Sequence, residues 1–127
     1  MAGLVLDGAG QVKMDTLNLA IALHQRIHSS VEQYALSVKN KKPEPSSLNS
    51  VKRNLPVLAA KLKNQFGMIS DLATAVYMSA SRGAGEQQRV RSLREGVAAL
   101  KAQLDIAVTQ TIAKHEKHDD KPAVNRD

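Results

Sequence analysis

The chain has 127 residues, with 18 Lys and Arg against 12 Asp and Glu for a net charge of +6, no cysteine, no tryptophan and 2% aromatic residues. This bounds it to one modest domain and excludes a disulfide scaffold, a thiolate metal site and a cysteine nucleophile. Scarce aromatics speak against a sheet-rich fold, and an apolar share of 43% built mainly from Leu, Val, Ile and Ala predicts an aliphatic core.

Residues 1–12 read as a flexible leader. Gly3, Gly8 and Gly10 interrupt it, while Leu4, Val5 and Leu6 are able to dock on an apolar surface. Its opening, MAGLVLDGAG, has neither the basic start of a secretory signal nor the length of a membrane span. Asp15 or Thr16 is expected to cap a first helix over Asp15–Val38. Leu17, Ala20, His24, Ile27, Val31, Tyr34 and Val38 follow one another in steps of three and four, a coiled-coil-like spacing. Residues 39–47, KNKKPEPSS, form a connector because Pro43 and Pro45 bias their neighbours away from helix.

A second helix is expected over Leu48–Ala80, with a stripe running from Leu48 through Val51, Leu55, Leu58, Leu62, Gln65, Ile69, Leu72 and Val76 to Ser79. Pro56 interrupts it. Either the helix kinks near Leu55, or residues 47–53 form a short helix and Asn54 caps a new one. Gly67 is a further soft point. Residues 81–85, SRGAG, signal a turn, and a third helix is predicted over Glu86–His115 on Val90, Leu93, Val97, Leu100, Leu104 and Ala107. Residues 116–127 are polar and are expected to fray.

The expected fold is all-α: an up-down-up antiparallel three-helix bundle, or four helices if Pro56 splits the second. The expected organisation is a leader over 1–12, a bundle over 13–118 and a flexible polar tail over 119–127. The first helix is the shortest, which leaves part of the helix 2–helix 3 hairpin uncovered and predicts a homo-oligomer. Gly67 and Gly96 fall at nearly the same level of that hairpin, where they would allow close helix approach or a small groove.

His24 and His28 have the i, i+4 spacing of a metal pair, but Gln25 stands where a metalloprotease has glutamate and no third ligand is legible. Packing is the favoured reading of His24. His115 and His118, with Glu116, Asp119 and Asp120, read first as a solvated tail and second as metal ligands. Gly83 and Gly85 lack the phosphate-loop pattern, and no serine sits in a nucleophile elbow. No metal, cofactor or enzymatic activity is expected.

Charge is the clearest signal. Lys39, Lys41, Lys42, Lys52, Arg53, Lys61 and Lys63 face a single acid, Glu44, so residues 39–63 carry +6 and the remainder is balanced. These seven are the candidate site for an acidic partner or a polyanion. Arg82, Arg89, Arg91 and Arg94 make a second basic face, placed by a three-helix hairpin at the opposite end from residues 39–53. No aromatic residue is interleaved for base stacking, so nucleic acid is only weakly supported. The expected function is a non-catalytic, self-associating helical protein–protein interaction or assembly module of the cytoplasm. The alternative is an adaptor for nucleic acid or another polyanionic surface.

Overall fold

A computed structural model describes residues 5–42, 45–82 and 85–116. The fold is an all-α bundle of four helices: α1 Gly8–Lys39, α2 Pro45–Leu62, α3 Gly67–Ser81 and α4 Glu86–His115. Each helix packs on its chain neighbours, and α4 closes the ring against α1. Three contacts set the levels at which the helices meet. Ser30 faces Ser50 across α1 and α2, Ser70 reaches the Ala59 carbonyl across α2 and α3, and Glu32 meets Arg94 across α1 and α4. Glu32–Arg94, His24–Val97 and Asp7–His115 run in opposite senses along α1 and α4, and short connectors make chain neighbours antiparallel, so the bundle runs up-down-up-down.

The predicted stripes supply the core. Leu17, Ile27, Val31 and Tyr34 of α1 meet Val51, Leu55, Leu58 and Leu62 of α2; Ile69, Ala73 and Val76 of α3 meet Leu93, Val97, Leu100 and Leu104 of α4. Each fully buried Leu, Ile or Val side chain stabilises the fold by roughly 1.5–3 kcal/mol relative to exposure. The span of α4 coincides with the expectation.

Pro56 does not split the helix and Asn54 caps no new one: α2 runs through the proline without a break. Its ring lies on the exposed side of α2, so the Lys52 carbonyl deprived of its donor lies towards water rather than inside the core. The chain reverses instead at residues 63–66, next to Gly67. Phe66, which precedes α3, is outside helical geometry, with φ −138° and ψ 60°. The turn stays bonded on both sides, as Phe66 N–H donates to the Leu62 carbonyl at 2.8 Å and Ser70 N–H to the Phe66 carbonyl at 2.9 Å.

The first helix also starts earlier than expected. Asp7, not Asp15 or Thr16, is its cap, accepting from Gly10 N–H at 2.7 Å. Residues 8–12 of the expected leader are therefore helical. Gly10 is required there, because a Cβ at this position would overlap the Cβ of His115 on α4. Leu6 bridges to Glu116 beside it. The expected tail, residues 119–127, lies outside the described residues.

Two further expectations are corrected. Gly96 does mark a close approach, but its neighbour is Val76 of α3, while Gly67 faces open space at the start of α3. The length mismatch is reversed: α1 and α4, with 32 and 30 residues, are the long pair, and α2 and α3 have 18 and 15. Pairing of Ser30 with Ser50 puts the end of α2 level with about residue 18 of α1. Pairing of Val76 with Gly96 puts the start of α3 level with about residue 105 of α4. Roughly ten residues of α1 and of α4, about 15 Å at 1.5 Å per residue, thus project beyond the α2–α3 turn as a two-helix arm.

Candidate functional site

The seven expected site residues do not form one cluster. Lys39, Lys41 and Lys42 close α1, and Lys52 and Arg53 follow in the first half of α2; all are exposed except half-buried Lys52. Lys61 and Lys63 are exposed at the other end of α2, beside the turn at 63–66. Arg82, Arg89, Arg91 and Arg94 take the opposite course. The extra chain reversal brings the 82–85 connector to the same end as the α1–α2 connector, which corrects the expectation that the two basic groups lie at opposite ends.

The charge is therefore sorted by end. Among the described residues of the connector half (30–54 and 76–95), nine cations face three carboxylates, Glu32, Glu86 and Glu95. In the described remainder six cations face five carboxylates. Among the described residues the connector half carries the excess, and the other half is nearly neutral.

The backbone at the connector end is specific. Lys41 N–H donates to the Val38 carbonyl at 3.0 Å and Lys42 N–H to the Ser37 carbonyl at 2.9 Å. This is the paired-bond ending of a helix whose next residue turns left-handed. That residue is Lys41, at φ 59°, where glycine is usual. Arg89 crosses from α4 to donate to the Tyr34 hydroxyl at 3.1 Å and to the Arg82 carbonyl at 2.7 Å. Arg94 grips Glu32 with two bonds, at 2.7 and 3.0 Å. The bond from Arg94 is the main force holding the Glu32 carboxyl below its usual range, against a smaller upward push from burial, and Glu32 raises Arg94 in return.

The Glu32–Arg94 pair lies at the junction of two grooves between α1 and α4. Towards the connector end is an open groove of about 650 Å³, where Leu36, Val38 and Val90 sit among Lys39, Lys41 and Arg94. Leu36 is 58% exposed. Towards the arm is a second groove of about 640 Å³ that includes His24, His28, Lys101 and Asp105. A third hollow, of about 360 Å³, lies at the step where the α2–α3 turn meets the arm, walled by Phe66, Met68 and Ile106.

The histidines separate into packing and clasping roles. His24 is buried, and its Nε2–H donates to the Val97 carbonyl at 2.8 Å, while His28 is exposed. Lys13 Nζ donates to His115 Nε2 at 3.2 Å, so Nδ1 carries the proton and donates to Asp7 at 3.1 Å. His118, Asp119 and Asp120 lie outside the described residues. Among the described residues no three His, Cys, Asp or Glu side chains gather as a metal would need, and no helix is long and apolar enough to cross a membrane.

The sequence reading missed the groove. Val90 belongs to the predicted core stripe of the last helix and Arg94 to the second basic face, and nothing in the sequence joins either to Leu36. The available signal is Leu36, an apolar residue beside the α1 stripe that neither α2 nor α4 covers. No protein-family model matches the chain, and no curated protein or solved structure is significantly similar to it.

Proposed function

We propose that this chain is a non-catalytic helical interaction module whose connector end engages an acidic protein partner. One observation carries the reading: two basic groups distant in sequence meet at one end of the bundle, nine cations against three carboxylates among its described residues, while the other end is balanced. Such a field steers an anionic surface and sets its orientation. Apolar side chains among the cations favour a protein over nucleic acid, since neither tyrosine nor the phenylalanine lines that groove for base stacking.

The test reverses charge at each end separately. Converting Lys41, Lys42, Lys52 and Arg53 to glutamate is expected to abolish binding to immobilised poly-glutamate in 50 mM salt. Converting Lys61, Lys63, Lys101 and Lys114 is expected to leave most of it. Equal loss from both sets would reduce the reading to unspecific net charge. Tighter retention by a duplex of DNA or RNA than by any acidic polypeptide would favour the polyanion adaptor instead.

A second reading, self-association, has its own observation. The arm end combines a two-helix projection with Met68 at 87% and Ile106 at 47% exposure, and its near-neutral charge permits two copies to approach. Light scattering over a hundredfold concentration range tests it. Dimers that Met68→Glu with Ile106→Glu dissociates support it, and a monomer at every concentration refutes it.

A further inference from the structure

The connector-end groove carries the reading further, to the kind of partner. We propose that the groove between the last turns of α1 and the first turns of α4 receives a short acidic amphipathic helix. Its apolar side would rest on Leu36, Val38 and Val90, and its carboxylates would meet Lys39, Lys41 and Arg94. This rests on the proposal that the connector end engages an acidic protein.

Three observations combine. The groove is open and follows two helices for about 10 Å, from Glu32 to Lys39 on α1 and from Gln87 to Arg94 on α4, at 1.5 Å per residue. That suits about two turns of a helix laid against it, and apolar side chains spaced three and four apart would fall along the floor. The rim is cationic, so charge selects an acidic occupant. Finally, Glu32 already holds Arg94 through two short bonds. An internal carboxylate occupies the position that a partner's carboxylate would take, and binding exchanges one for the other.

Lys41 gives independent support. A left-handed lysine at the end of a helix stores strain that glycine would relieve. Strained residues concentrate where a side chain is needed in one place. Here the strain directs a lysine, not a bare backbone, to the groove's rim.

The experiment uses fluorescence anisotropy with three labelled probes of equal charge: a 14-residue Leu/Glu amphipathic peptide, a Glu/Gly peptide without leucine and a single-stranded oligonucleotide. The wild-type protein is expected to bind the amphipathic peptide at least tenfold more tightly than the other two. Leu36→Ser, at an exposed position, should erase that preference and leave the weak binding of the Glu/Gly peptide. Glu32→Gln should tighten the amphipathic peptide severalfold by freeing Arg94. Lys41→Gly should raise the unfolding temperature while weakening the peptide, a combination that damage to the fold cannot produce. If all three probes bind alike and Leu36→Ser changes nothing, the groove is refuted and the basic end stands as a simple electrostatic surface. If the oligonucleotide binds best, the partner class is overturned. If none binds in 50 mM salt, both proposals fall.

Discussion

Gly96→Ala offers the sharpest test of how α3 and α4 pack, because two opposing effects decide its sign. In a helix interior, alanine is favoured over glycine by about 1 kcal/mol, so a loosely packed bundle would be stabilised. Here the new Cβ would lie 2.6 and 2.9 Å from the two γ-methyls of Val76 and 3.2 Å from its Cβ. Rotating the valine cannot relieve all three contacts, since the Cβ does not move with χ1 and β-branched side chains are stiff. The backbones must part. Overpacking of this kind costs roughly 1–3 kcal/mol, and involvement of the whole side chain places it in the upper half. The expected net effect is a loss of about 1–2 kcal/mol, or roughly 5 °C in unfolding temperature.

The double-mutant cycle makes the reasoning stricter. Val76→Ala alone removes two buried methyls and should cost about 2–3 kcal/mol. In that background both γ-methyl contacts are gone and only the 3.2 Å Cβ contact remains, which a small separation relieves, so Gly96→Ala should now stabilise by up to about 1 kcal/mol. The same substitution reverses sign with its neighbour, a coupling of roughly 2–3 kcal/mol. Gly67→Ala is the control, because nothing lies near that position. Urea unfolding followed by circular dichroism reads all five proteins. An equal effect of Gly96→Ala in both backgrounds would refute the close approach.

Three other outcomes follow from the fold. Pro56→Ala should stabilise by about 1–2 kcal/mol, because restoring a helix-interior donor outweighs the proline's smaller restriction of the unfolded chain; a lower urea midpoint would show that the proline is needed. Asp7→Ala should cost about 1 kcal/mol through the lost cap and should speed hydrogen exchange at the start of α1, since Asp7 holds both Gly10 and His115; unchanged exchange would show that the clasp does not hold this end. Glu32 ionises more readily in the folded protein than its ordinary value of 4.5. Its contribution is therefore complete above that pH and is lost as pH falls through the folded value. Glu32→Gln should make stability less pH-dependent below about 4.5, by a small amount that salt screens further; an unchanged acid limb in urea titrations from pH 3 to 6 would contradict this.

The sequence spoke plainly where local and tertiary preferences agreed. Helix α4 was legible because a glycine-rich turn precedes it and its leucine stripe is unbroken to the buried Ala107. The break between α2 and α3 was misplaced because an interior proline carries a large nominal penalty. That penalty shrinks on a solvent-facing side, whereas Lys63, Asn64 and Gln65 put three polar residues just ahead of a glycine. Gln65 had been read as part of the stripe; as a polar residue at a core position it was the better signal of a reversal. The start of α1 was obscured by Gly8 and Gly10, poor helix formers by propensity. Gly10 is explained only by His115, more than a hundred residues away, and no local rule contains that contact.

The candidate site turned on parity. Exposure of each lysine was legible, but the end of the bundle that a connector occupies depends on the number of reversals before it. With three helices, the connectors at 39–47 and 81–85 fall at opposite ends. One added reversal at 63–66 moves the second connector to the same end as the first. It leaves Lys61 and Lys63 at the far end of α2 and brings Arg82, Arg89, Arg91 and Arg94 to Lys39, Lys41 and Lys42. A cluster that was contiguous in sequence is exchanged for one assembled by topology, and the groove between α1 and α4 lies inside the second cluster. Charge counted along the chain describes the first cluster, and the proposed binding depends on the second. Charge reversal at Lys61 and Lys63 is therefore expected to be nearly silent at the groove, while reversal at Arg94, over fifty residues from Lys41, acts beside it.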